Sequence, residues 1–190
     1  MGSTLVRPGH GDPMPHTLAL VAGLAVLGAV RECLPDDPTL RLKWPNDLLA
    51  GTAKLAGVLL EAGGPSVVIG IGVNLVSAPE LPDRAVTSLA ALGGAIERNR
   101  FADLLSKAFD LELERWRTYG LEPLIARWCQ AAHPEGTPLT VQSGQEPPLN
   151  GTFAGLNAEG ALQLRLADGS VQTIHAGEVN LSDQDHAARH

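Results

Sequence analysis

The chain has 190 residues, 44% of them hydrophobic, and a formal net charge of −7 from 14 Lys and Arg against 21 Asp and Glu. This length fits one ordinary domain, or one domain with a small additional module. An acidic chain without a cluster of Lys and Arg lacks the basic face of a nucleic-acid-binding protein, so we expect no DNA or RNA partner. The apolar content also excludes an intrinsically disordered chain.

Cysteine usage and apolar runs indicate the cellular compartment. Cys33 and Cys129 are too few and too far apart in the sequence for a disulfide framework or a zinc site, which favours a reducing, cytoplasmic location. The longest apolar run, residues 18–30, has 13 residues, whereas a membrane span needs roughly 20. A signal-peptide core is an alternative, but the proline-rich flank with a single arginine favours a buried helix, and we expect no membrane partner.

Hydrophobic periodicity predicts both helices and strands in the first two thirds of the chain. We expect a first strand, an apolar helix covered by protein on nearly every side, and a half-buried strand. A hairpin of two apolar strands, a long amphipathic helix and a second helix follow. In chain order these elements fall at about residues 3–8, 17–32, 40–43, 54–61 with 66–75, 98–119 and 121–132.

The composition changes after Pro134. Short β-like stretches recur about every ten residues as far as Leu181, separated by Gly, Asn and Asp turns, which is typical of a small barrel or sandwich. Residues 135–190 carry 2 basic and 7 acidic side chains and one aromatic residue, so an RNA-binding barrel is disfavoured. We therefore predict an α+β protein. A mixed β-sheet backed by helices would occupy residues 1–134, a small β-barrel residues 135–183 and a tail residues 184–190.

Residues 41–75 contain polar residues that are unusual among apolar strands. Trp44, Pro45, Asn46 and Asp47 interrupt a strand with an aromatic ring, a rigid turn and two hydrogen-bonding side chains. Lys54 opens an otherwise apolar strand, so we expect its ammonium group at the edge of a buried sheet face. Singly, these features have ordinary explanations as a core tryptophan, a turn and a solvated lysine.

The glycines of the same stretch add a second signal. Gly57, Gly70 and Gly72 remove side chains from strands, which usually marks a bulge or the close approach of a backbone or a ligand. Asn74 ends an apolar strand, where its carboxamide needs hydrogen-bond partners. A single G-x-G-x-N is a weak motif. The order of all these features within 35 residues is what indicates a ligand site.

This ordered set resembles the central signature of biotin–protein ligases, which carry KWPND, then KLAG followed by an acidic residue, then a strand ending in G-x-G-x-N. Here the motifs stand at residues 43–47, at residues 54–57 with Glu61, and at residues 70–74. The resemblance covers about residues 3–182. It implies a catalytic domain like that of class II synthetases and biotin ligases, followed by an SH3-like C-terminal β-barrel.

The resemblance also implies a two-step, ATP-dependent reaction. The carboxylate of biotin attacks the α-phosphate of Mg-ATP to give biotinyl-AMP and pyrophosphate, and a lysine of a carboxylase biotin-carrier domain then accepts the biotinyl group. ATP, Mg²⁺ and biotin are therefore the expected ligands, and the carrier domain is the expected partner. Some relatives form homodimers, so a second copy of the chain is a further candidate partner.

The same resemblance implies roles for individual residues. Lys54 matches the catalytic lysine that contacts the biotin carboxylate and the α-phosphate, where a fixed cation favours the meeting of two anions. Asn74 matches an adenine-recognising asparagine, Trp44 would wall the pocket, and Asp47 on the nucleotide side could help to hold Mg²⁺. The expected biotin and ATP site comprises Trp44, Asn46, Asp47, Lys54, Gly57, Gly70, Gly72 and Asn74.

The sequence departs from the family pattern at its start. Family members carry a Ser/Thr-Asn motif and a GRGRxG loop upstream of an LVRP-like strand, whereas this chain begins within that strand and contains no GRGR. Three explanations stay open. The chain is a fragment or has a start assigned at an internal methionine, or it is a truncated relative that binds biotin, nucleotides or partners without catalysis, or it is a complete ligase with a diverged loop.

Two further readings of the resemblance are weaker. A lipoate- or octanoyl-transferring relative fits less well, because KWPND and KLAG are biotin-type motifs. No helix-turn-helix segment precedes the catalytic part, so the DNA-binding repressor role of some family members is not expected.

Overall fold

The computed structural model describes residues 1–34, 37, 39–82, 84–144 and 147–182. The expected tail lies outside these residues. The helices are α1 (Leu18–Arg31), α2 (Arg98–Tyr119) and α3 (Leu121–Ala131), with short 3-10 helices at Pro15–Thr17 and Ala90–Leu92. The strands are β1 (Gly2–Val6), β2 (Leu40–Lys43), β3 (Asp47–Ala50), β4 (Ala53–Gly63), β5 (Ser66–Val73), β6 (Pro138–Gln142), β7 (Leu149–Leu156), β8 (Leu162–Arg165), β9 (Val171–Ile174) and β10 (Glu178–Leu181).

The strands form two five-stranded sheets, and the expected α+β class is confirmed. The first sheet has the order β1-β5-β4-β3-β2 and the second the order β10-β6-β7-β8-β9. Every named strand pair is antiparallel. The expected mixed pairing is limited, among the described residues, to two isolated parallel bridges, Leu42 with Ala132 and Lys54 with Val86. Short turns connect most of the sheet strands, and such turns reverse the chain and therefore favour antiparallel pairs.

Helix α1 is the centre of the core, as its apolar sequence predicts. Leu18, Val21, Ala22, Ala25 and Val30 are completely buried, because the helix contacts the first sheet on one side and α2 and α3 on the others. A helix that is apolar on nearly all sides is stable only in such a position.

The long helix α2 has the bounds that the apolar stripe predicts. The Glu97 carboxylate accepts hydrogen bonds from the backbone N–H groups of Asn99 at 2.8 Å and Arg100 at 3.0 Å, and these bonds lower the pKa of Glu97. The helix ends at Gly120, whose φ of 74° suits a residue without a side chain. Its Trp116 is fully buried and donates from Nε1 to Thr17 Oγ1 at 2.9 Å, which joins α2 to the start of α1.

The second sheet, here called the C-terminal sheet (β6 to β10), packs directly against the first part of the chain. Leu139, Phe153 and Leu162 of this sheet belong to the same buried cluster as Leu42 and Trp128. The two sheets therefore share one hydrophobic core, and the KWPND segment lies at the boundary between them.

Candidate functional site

A cleft of about 520 Å³ lies on the outer face of the β4–β5 hairpin. Gly57 pairs with Gly72, and Leu59 pairs with Gly70, so the three glycines lie on the same face of the hairpin. A Cβ atom at Gly70 would lie no closer than 3.8 Å to another atom, and one at Gly72 no closer than 4.0 Å. The fold itself would therefore accept a side chain there, and the glycines keep the cleft floor open.

One rim of the cleft is formed by Pro79, Leu81, Arg84 and Val86. Lys54 fixes this rim through its backbone, since its N–H donates to the Ala85 carbonyl and its carbonyl accepts from the Thr87 N–H, both at 2.9 Å. Lys54, the expected catalytic lysine, therefore also anchors the rim of the cleft through its backbone.

The Lys54 side chain is positioned by a buried carboxylate. Its Nζ forms an ion pair with Oδ1 of Asp47, whose side chain is only 7% exposed, while the Lys54 side chain is 29% exposed and lines the cleft. A Cβ atom at Gly57 would approach Lys54 Nζ to 3.0 Å, which is tighter than ordinary contact. Gly57 therefore leaves room for the ion pair, and the pair presents one ammonium group to the cleft.

The second oxygen of Asp47 faces another lysine. Lys43 Nζ lies 3.1 Å from Asp47 Oδ2 and donates to the Val179 carbonyl of the C-terminal sheet at 2.7 Å. Both oxygens of the carboxylate thus face ammonium groups, and such surroundings repel a divalent cation. The donor set does not fit direct Mg²⁺ binding by Asp47. Within the described ranges, no group of three or more His, Cys, Asp or Glu side chains could hold a metal ion.

Asn74 lies at the end of the cleft floor. It is half-buried and lines the cleft. Its Nδ2 donates to the Thr87 carbonyl at 2.9 Å, and its backbone N–H donates to the Leu55 carbonyl at 3.0 Å. The structure therefore brings together five of the eight expected residues along the cleft: Lys54, Gly57, Gly70, Gly72 and Asn74.

Trp44 and Asn46 are not among the residues that line the cleft. The Trp44–Pro45 peptide bond is cis, and Trp44 Nε1 donates to the Gly160 carbonyl of the second part of the chain at 3.2 Å. Asn46 Nδ2 donates to the Val58 carbonyl at 2.6 Å, which ties the turn before β3 to strand β4. Trp44 thus joins the KWPND segment to the second part of the chain, and Asn46 joins it to β4.

Sequence reasoning missed two charged residues of this region. Arg84 lines the cleft and forms an ion pair with Glu178 of the C-terminal sheet at 3.2 Å, and no motif around it indicates this position. Lys43 is the first residue of KWPND, but its contact with Val179 cannot be read from the motif. Burial, together with the positive charges of Arg41 and Lys43, lowers the pKa of His133, so this nearby imidazole is neutral at neutral pH.

Comparisons of this chain with a family model and with related proteins agree with one another. The family model described as "Biotin protein ligase C terminal domain" matches residues 136–182. A Paracoccus denitrificans protein named biotin–[acetyl-CoA-carboxylase] ligase is 34% identical over 189 residues, which cover 94% of this chain and 78% of that protein. A Mycobacterium tuberculosis protein of the same name is 36% identical over 164 residues, which cover 85% of this chain and 61% of that protein.

Solved structures show the same fold. The structure of biotin protein ligase from Aquifex aeolicus in complex with biotin and ATP is similar to this chain, with a TM-score of 0.81 and 24% identity. The similarity covers 95% of this chain and 77% of that one. Among the described residues, no helix is long and apolar enough to cross a membrane.

Proposed function

Because this chain belongs to the biotin–[acetyl-CoA-carboxylase] ligase family, we propose that it joins biotin to ATP as biotinyl-AMP and transfers the biotinyl group to a lysine of a carboxylase biotin-carrier domain. The observation that carries this proposal is the Lys54 ammonium group, held by a buried Asp47 at the edge of an open, glycine-floored cleft. This is the arrangement that a reaction between two anions requires.

In the first step, a carboxylate oxygen of biotin bonds to the α-phosphorus of ATP while the bond from that phosphorus to the pyrophosphate oxygen breaks. Both reactants are negatively charged, so their approach is opposed by repulsion in the absence of a cation. In the proposed complex, the Lys54 ammonium group contacts both the carboxylate and the α-phosphate oxygens. Asp47 fixes that group before the substrates bind, which reduces the reorganisation needed in the transition state.

The cleft floor suits a flat ligand. Without side chains at Gly70 and Gly72, the nucleotide can lie directly on the backbone of β5, and Asn74 at the end of this strand is the proposed contact to adenine. Magnesium enters as the Mg-ATP complex, where it neutralises phosphate charge, because Asp47 is already paired with two lysines. In the second step, the carrier lysine attacks the acyl carbon, AMP leaves, and the amine loses a proton.

The division into a catalytic part over residues 1–134 and a C-terminal barrel over residues 135–183 belongs to the same proposal. We also include in this proposal a cytoplasmic location and a second copy of the chain as a partner. The match of residues 136–182 to the C-terminal domain family supports the proposed boundary.

The second candidate function is a binding module that keeps the nucleotide cleft but does not catalyse adenylation. The observation that favours it is the open, glycine-floored cleft itself, since binding a nucleotide there does not require that a reaction follows. Mass spectrometry of the reaction of this chain with biotin and Mg-ATP, together with calorimetric titration of each ligand, separates the two. We expect biotinyl-AMP and pyrophosphate in equal amounts. Heat of ATP binding without any biotinyl-AMP would instead support the binding module.

A further inference from the structure

The carboxylate of Asp47 lies between two lysines that face different parts of the molecule. Lys54 is on the cleft side, where it contacts Asp47 Oδ1, and Lys43 is on the side of the C-terminal sheet, where its Nζ lies 3.1 Å from Oδ2. Asp47 is buried, so solvent weakens both ion pairs less than it would on the surface. Two ammonium groups therefore share one negative charge.

Lys43 is fixed at both of its contacts. Its side chain is only 14% exposed, and besides Asp47 it bonds to the Val179 carbonyl at 2.7 Å. Val179 belongs to β10, which pairs with β6 in the C-terminal sheet. The position of this ammonium group thus depends on how β10 packs against the KWPND segment.

The charge of Lys43 affects the net positive charge beside the cleft. The formal charges of Lys43, Asp47 and Lys54 sum to +1. Without the charge of Lys43, Asp47 would pair with Lys54 alone, and the charges of these two side chains would cancel. The neighbouring His133 does not replace the charge, because burial and the charges of Arg41 and Lys43 lower its pKa.

We propose that Lys43 is a positioning residue that shares Asp47 with Lys54, and so couples the packing of the C-terminal sheet to the positive charge that the cleft presents to anionic substrates. This inference rests on the proposed function, because biotin carboxylate and ATP are the anions concerned. Lys43 itself does not line the cleft and acts through Asp47.

The first test compares the kinetics of biotinyl-AMP formation by the wild-type chain, Lys43→Met and Lys43→Arg. Loss of the charge should raise the KM for Mg-ATP and for biotin about fivefold with kcat changed less than about twofold, since the charge attracts the bound anions before the chemical step. Arginine keeps the charge and the donors, so Lys43→Arg should stay within about twofold of the wild-type KM.

Two further variants control for folding and for the loss of one positive charge. Lys43→Gln keeps a donor for the Val179 carbonyl without the charge, and should show the same fivefold rise in KM, which decides the matter where the methionine variant folds poorly. Lys107→Gln makes the same change of charge at an exposed lysine of α2 that is not among the residues lining the cleft. It should leave both KM values within about twofold of the wild type.

The second test needs no enzyme activity. The chain has three lysines, Lys43, Lys54 and Lys107, so competitive acetylation followed by peptide mass spectrometry can compare Lys54 with the exposed Lys107. Without Lys43, Asp47 pairs with Lys54 alone and holds its amino group more strongly, so that this group is less available to the reagent. Lys43→Met and Lys43→Gln should therefore lower the ratio of Lys54 to Lys107 labelling about threefold, and Lys43→Arg should restore it.

The two tests separate this inference from the proposed function. A wild-type chain that makes no biotinyl-AMP would contradict the proposed function, while the labelling ratio would still decide the role of Lys43. Folded Lys43→Met and Lys43→Gln proteins with the wild-type labelling ratio would overturn the inference, whatever the activity. An active chain in which Lys43→Gln leaves both KM values unchanged would also overturn it.

Discussion

Replacing Lys54 by methionine is expected to slow biotinyl-AMP formation about 10²- to 10³-fold, the usual cost of removing one fixed group that stabilises transition-state charge. The fold should survive, because the Lys54 side chain is partly exposed and the loss leaves Asp47 paired with Lys43. The backbone hydrogen bonds that anchor the cleft rim at Ala85 and Thr87 are also independent of the side chain. Rates of pyrophosphate release and the thermal midpoint, Tm, measure the two effects separately.

The matched control for this experiment is Lys107→Met. Lys107 is an exposed lysine on α2 and is not among the residues that line the cleft, so its replacement should leave the rate unchanged. A folded Lys54→Met protein that forms biotinyl-AMP at the wild-type rate would contradict the catalytic role of Lys54.

Replacing Gly72 by valine is expected to weaken Mg-ATP binding about 10- to 100-fold, which corresponds to the 1–3 kcal/mol that overpacking a fitted site typically costs. A Cβ atom at Gly72 has its nearest neighbour at 4.0 Å, so the strand itself accommodates valine and the new methyl groups extend over the cleft floor. Valine is also a favourable residue in strands. Calorimetric titration with Mg-ATP measures the loss of affinity, and the Tm should not fall.

Gly63→Val is the matched control on the same hairpin. Gly63 lies at the far end of β4, where it pairs with Ser66 and where a Cβ atom would meet nothing within 4 Å. This variant has the same change in composition and should bind Mg-ATP like the wild type. Equal affinities of the Gly72→Val and Gly63→Val proteins would show that the nucleotide does not lie on the glycine floor.

Local sequence patterns predict most of the elements well. The bounds of α2 follow from an apolar stripe that ends at a glycine, and the buried position of α1 follows from a helix that is apolar on nearly every side. The β4–β5 hairpin follows from two apolar runs around a glycine-rich turn. In each case the residues that determine the structure are close together in the sequence, so their periodicity carries the information.

Long-range packing explains what local patterns could not predict. Trp44 does not line the cleft, and its Nε1 donates to the carbonyl of Gly160, which is 116 positions further along the chain. The Val179 carbonyl, which accepts a hydrogen bond from Lys43, is 136 positions away from it. Arg84 reaches the cleft as part of the rim, which is hydrogen-bonded to the backbone of Lys54. These contacts depend on how the C-terminal sheet and the rim pack, and a motif of five residues does not contain that information.

The most direct test of the proposed ligase function is biotinylation of an acceptor by this 190-residue chain. A purified biotin-carrier domain is incubated with the chain, biotin and Mg-ATP, and the intact mass of the carrier is followed. We expect a gain of one biotinyl group per carrier, and we expect this gain to be lost with Lys54→Met. An unchanged carrier mass in the presence of a chain shown to be folded by circular dichroism would contradict the ligase function of this chain.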